Sequence, residues 1–187
     1  MSHISTPNYS GSYGYATVVW DDIRVAAQAT KQNPVTSKPD FDDFGIGSMK
    51  TYLFDDASKE AVHFTVQIPH GYKLGTDLCP HVHWCPTTTN AGSVLWELEY
   101  TLVDIGGTFP SESIVQADDP SNGTAHGHQI ASLSTISGSG ISNVSAMFIC
   151  QLSRRGDLDN YPDDAALLEF DFHFQKDSDG SIGETFK

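Results

Sequence analysis

The chain has 187 residues, 39% of them hydrophobic, with 24 acids against ten bases and a formal net charge of −14. That length suits one domain with a sizeable core. The charge repels phosphate backbones and argues against direct nucleic-acid binding. No apolar stretch approaches the roughly 18 residues of a membrane span, and the start lacks a basic region followed by an apolar run, so neither a membrane role nor a signal peptide is expected. Three cysteines, Cys79, Cys85 and Cys150, are an odd number that does not suggest a disulfide framework.

Residues 1–16 are rich in Ser, Gly, Tyr and Asn and lack apolar periodicity. They are expected to form an extended arm that gains order from a neighbour, with Tyr9, Tyr13 and Tyr15 as rigid, amphipathic contact groups. The remainder, 17–187, is expected to be one domain. A strand-like run opens it at Thr17–Val25 and contains Trp20. Residues 31–48 hold Asn33-Pro34, Lys38-Pro39, Gly45 and Gly47 and read as loop.

Strand signals follow. Lys50–Phe54 is a short apolar run. Val62, Phe64, Val66 and Ile68 alternate with polar residues. Leu78–Cys85 alternates, and so does Val94–Leu102. Residues 110–125 read as a polar loop with one short strand near Ile114-Val115, and 126–133 as an edge. Val144–Leu152 is apolar on both faces and belongs at the centre of a sheet. Leu168, Phe170, Phe172 and Phe174 share a face opposite Glu169, Asp171, His173 and Gln175. About eight antiparallel strands without a strong helix signal predict an all-β fold, a jelly-roll-like β-sandwich. Phe64, Trp84, Trp96, Phe148, Phe170 and Phe172 are its predicted core.

Leu78-Cys79-Pro80-His81-Val82-His83-Trp84-Cys85-Pro86 is the segment with most chemistry. On a strand, Cys79, His81, His83 and Cys85 share one face. His81 and His83 make a His-x-His half-site for a metal. By residue type, Glu97, Glu99, His63, His126, His128 and His173 are available to complete it. The expected role is structural instead: imidazoles bonded to carbonyls or carboxylates of neighbouring strands. No cofactor and no catalytic residue are assigned. Glu169 and Asp171 are expected on a solvated sheet face, and His126-Gly127-His128 in a loop. Cupins also carry a His-x-His strand, but here Pro86-Thr87-Thr88-Thr89-Asn90 follows where that family places its acidic ligand.

Several segments in order resemble a group of small virion structural proteins of tailed phages and prophages. They are Trp20-Asp21-Asp22-Ile23-Arg24, Pro80-His81-Val82-His83-Trp84, Trp96-Glu97-Leu98-Glu99-Tyr100, Asp104–Pro110 and Leu167–Phe174. The resemblance implies a non-enzymatic capsid cement or decoration protein, assembled in the host cytoplasm and located on the virion. It would bind the major capsid protein and copies of itself as a homotrimer, through Tyr9, Tyr13, Tyr15 and Trp20. The alternatives are a tail- or fibre-associated module and a cupin-like metalloenzyme.

Overall fold

The computed structural model describes residues 19–33 and 37–187. Its strands are β1 (Val19–Ala26), β2 (Lys31–Gln32), β3 (Asp40–Asp43), β4 (Lys50–Phe54), β5 (Lys59–Gln67), β6 (Leu78–Pro86), β7 (Ser93–Val103), β8 (Ser113–Pro120), β9 (Gln129–Ser132), β10 (Met147–Arg155) and β11 (Ala165–Lys176). One 3-10 turn, Ala27–Ala29, joins β1 to β2. The strands form two antiparallel sheets. One runs β3-β4-β11-β6-β9, with β1 also paired to β11; the other runs β2-β5-β10-β7-β8. From β4 onward the chain passes repeatedly between the sheets, the hallmark of a jelly-roll-like sandwich.

The core lies between the sheets and is built from alternating inward rings. Phe64 meets Phe170 at 5.0 Å between ring centroids, Phe148 meets Phe172 at 5.1 Å, and Phe54 meets Trp96 at 5.3 Å. All six predicted core aromatics are buried. Tilted, stacked and edge-on ring pairs of this kind add to simple area burial. β10 sits between β5 and β7, the central place its two apolar faces require.

The fold departs from expectation in three places. β3 and the two-residue β2 occupy the stretch read as loop. β8 is a full eight-residue strand although Asp118-Asp119-Pro120 end it. Such residues are poor strand formers, but pairing with β7 from Tyr100 to Ser93 holds β8 in place. Leu168, expected in the core, is instead the extra residue of a bulge between Leu167 and Glu169. Leu167 takes its place in the core. The inward set therefore switches from odd to even numbers across Leu168. At the same point the neighbour of β11 changes from β4 (Ala165–Leu167) to β1 (Glu169–Lys176).

Candidate functional site: a His–Asp face on the six-stranded sheet

The bulge sets which side chains of β11 face away from the core. Glu169, Asp171, His173 and Gln175 project outward, and register places neighbours beside each of them. Arg24 and His81 flank Asp171; Asp22 and Cys79 flank His173; Ala26 and His83 flank Glu169. Trp20 lies opposite Gln175. The outermost strand, β9, adds Ser132 beside His81 and Ile130 beside His83.

Asp171 is the hub. Its side chain is only 3% exposed, yet its two oxygens serve different partners. His83 Nε2–H donates to Oδ2 at 2.8 Å, and His81 Nδ1–H donates to Oδ1 at 3.3 Å. His173 Nε2 lies 3.6 Å from Oδ1 and 3.1 Å from Asp22 Oδ1. The His81 and His173 rings meet edge to face at 4.1 Å. Burial alone would raise the Asp171 pKa; the hydrogen bonds from His81 and His83 and the charge of His173 outweigh it and hold the carboxyl below its ordinary value.

A second ring of contacts surrounds this hub. His83 Nδ1 is 2.8 Å from Nε2 of His128, which reaches back from the loop before β9. Because His83 Nε2 donates to a carboxylate, a neutral His83 accepts at Nδ1, and His128 donates. Arg24 clamps Glu169 in a bidentate pair, Nε to Oε1 at 2.6 Å and Nη2 to Oε2 at 2.7 Å. Trp20 stands at one end of this face, 55% exposed.

The structure thus brings together His81, His83, His128, Asp171 and His173. The expectation that His81 and His83 bond to a neighbouring strand's carboxylate is met by Asp171. The expectation that Asp171 lies on a solvated face is not: β1 and β6 flank β11 and exclude water from it. His81 and His83 contact opposite oxygens of Asp171, so they do not converge on one point. Among the described residues, the group with one ligand atom from each member within 4.8 Å of the others is His81, Asp171 and His173. Glu97 and Glu99 lie on the other sheet, bound to Lys59. His63 lies on that sheet too. His126 packs against Phe44. Cys85 is buried against Ala166, and burial pushes its thiol up to about 11. Tyr9, Tyr13 and Tyr15 lie outside the described residues, as does the arm 1–16.

No protein-family model matches the chain, and no curated protein sequence does. Solved structures of similar fold include a family 35 carbohydrate-binding module from Clostridium thermocellum, at 11% identity over 82% of this chain and 98% of that one, TM-score 0.43. Another is the CBM36-1 domain of a multidomain xylanase from the hindgut metagenome of Trinervitermes trinervoides, at 10% identity over 81% and 96%, TM-score 0.43. A third is the Arthrobacter globiformis T6 isomalto-dextranase, at 15% identity over 81% of this chain but 23% of that one, TM-score 0.44.

These neighbours correct the functional expectation. They are carbohydrate-binding modules and an enzyme, not virion components, so the reading as a capsid cement protein bridging major capsid proteins is withdrawn. The cupin-like alternative is opposed by the geometry of its two histidines. The physical reasons lie in the face itself. A cupin-type centre needs both histidines of the His-x-His pair at one point, and here they straddle a carboxylate. Of the four residues proposed to grip a shell, Trp20 is the one described, and it belongs to a continuous row of polar side chains on one sheet.

Proposed function

We propose that this chain is a non-catalytic recognition module that binds a polyhydroxylated ligand, a carbohydrate, on the outer face of β1 and β11. The observation that carries this reading is Trp20. It is exposed, on an edge strand, at the end of a row that continues through Asp22, Arg24, Glu169, His173 and Gln175. An indole offers a flat apolar surface with a polar edge, suited to the C–H face of a sugar ring. Carboxylate, guanidinium, imidazole and amide groups beside it supply directional partners for hydroxyls. The Arg24–Glu169 clamp holds two of those groups in fixed positions before any ligand arrives, which limits the ordering cost of binding. Carbohydrate binding is also what the names of two of the solved neighbours state of those proteins.

The test is a glycan array followed by calorimetric titration of the best oligosaccharide. Covering about 100 Å² of the indole contributes roughly 2 kcal/mol, so Trp20→Ala is expected to weaken binding by about thirtyfold. An array with no bound glycan, or a Trp20→Ala variant that binds as the parent does, removes the proposal.

A further inference from the structure

We infer that the same face contains a divalent transition-metal site, with His81 Nδ1, Asp171 Oδ1 and His173 Nε2 as ligands and His83 as the group that orients the carboxylate. The inference is independent of the carbohydrate reading. It rests on the geometry of three side chains from two adjacent strands.

The distances fit a small ion. Zinc sits about 2.0–2.1 Å from nitrogen and oxygen ligands, which places tetrahedral neighbours about 3.3 Å apart. His81 Nδ1 and Asp171 Oδ1 are 3.3 Å apart, and His173 Nε2 is 3.6 Å from the same oxygen. One ligand atom from each of the three residues lies within 4.8 Å of the others. Two of the three edges of the ligand triangle are therefore close to their bound lengths. Binding requires the His81 proton to move from Nδ1 to Nε2 and His173 to release to solvent the Nε2 proton it holds toward Asp22 and Asp171, proton movements rather than a backbone movement.

The carboxylate is already held for this task. His83 Nε2–H donates to Oδ2, so Oδ1 is the oxygen left to face an ion, and Asp171 would bind through one oxygen. His128 in turn fixes the His83 tautomer that makes this donation possible. Hydrogen bonding of a ligating carboxylate by an outer group is a recurrent device in metal sites. Asp171 itself is almost fully buried, whereas His173 is 36% exposed. The site thus has a fixed floor and one side open to solvent, where a fourth ligand can enter. Asp22 Oδ1, 3.1 Å from His173 Nε2, stands at that side.

The donor set selects the metal class. Two imidazoles and one carboxylate suit zinc, cobalt, nickel or copper. Calcium and magnesium need a shell of oxygens that these residues do not provide.

The experiment uses the full chain without an affinity tag. Cobalt(II) is titrated in and followed by visible absorption, and zinc(II) by calorimetry. We expect one equivalent of cobalt with the intense visible band of a low-coordinate site, displaced by zinc and not by calcium. Asp171→Asn, nearly isosteric, and His81→Ala and His173→Ala should each abolish the band while circular dichroism stays as in the parent. His83→Ala should keep the band and weaken affinity by roughly tenfold to a hundredfold, with partial recovery in His83→Gln, which retains a donor. Failure of the parent protein to bind either ion overturns the inference. So does binding that survives all three ligand substitutions. Neither outcome touches Trp20-dependent sugar binding, which is read separately.

Discussion

Arg154 shows how much one side chain can fix. It is fully buried, and all five of its N–H donors are used. Nε and Nη2 bond the Asp159 carboxylate at 2.8 and 3.0 Å, Nη1 bonds the carbonyls of Phe54 and Asp163 at 2.8 and 2.6 Å, and Nη2 also bonds that of Tyr161 at 2.6 Å. The guanidinium ties the loop between β10 and β11 to the end of β4. Removing it leaves Asp159, itself 1% exposed, as an unpaired buried charge. Arg154→Ala is expected to cost about 3–5 kcal/mol in urea denaturation, and Arg154→Lys most of the same, because an ammonium cannot span the carboxylate and three carbonyls. The position was readable in part. Phe148, Cys150, Leu152 and Arg154 share one parity on β10, so an inward arginine was visible in the alternation. Its partners were not, since Phe54 is a hundred residues away in sequence.

At the scale of elements, β11 organises the six-stranded sheet. It pairs with β6 along most of its length, with β4 at its start and with β1 beyond the bulge. The bulge at Leu168 reconciles two stretches of opposite parity. Ala165 and Leu167 point inward before it, and Phe170, Phe172 and Phe174 after it. Loss of one residue in a strand turns every later side chain to the other face. Deletion of Leu168 is therefore expected to drive either the three phenylalanines or Asp171 and His173 to the wrong side. It should eliminate the cooperative thermal transition measured by circular dichroism, while Leu168→Ala melts within a few degrees of the parent. The alternation of β5, β6, β7 and the second half of β11 was legible, because one buried face imposes a period of two. The bulge was not legible: Ala165-Ala166-Leu167-Leu168 is apolar throughout, and the register with β4 and β6 decides which leucine enters the core.

For the whole molecule, the charge of −14 has a local consequence. At one end of the sandwich Glu60, 7% exposed, sits near Asp55, Asp40 and Asp164. Burial, reinforced by these like charges and only partly offset by the Asp55 N–H, raises its carboxyl from 4.5 to about 7. The native state therefore holds this proton more tightly than the unfolded chain. The stability it provides is fully present below pH 4.5 and is lost as pH rises through 7, a decline on the order of 1–3 kcal/mol. Glu60→Gln, which still accepts from the Asp55 N–H, should flatten this part of the stability–pH curve and raise the urea midpoint above pH 7. An unchanged slope between pH 4.5 and 7 would contradict this assignment.

The sequence by itself determined that the chain is an all-β sandwich, that six aromatic rings lie in its core, that His81 and His83 share one strand face, and that Asp171 and His173 lie opposite the phenylalanines of their strand. Those are consequences of local alternation, which a single strand carries in its own residue order. Only the tertiary structure decided that β1 and β6 lie on either side of β11. That arrangement buries Asp171, assigns one of its oxygens to His83 and the other to His81 and His173, and draws His128 in from a distant loop. Register between strands far apart in sequence depends on how two sheets pack, and no single segment encodes it.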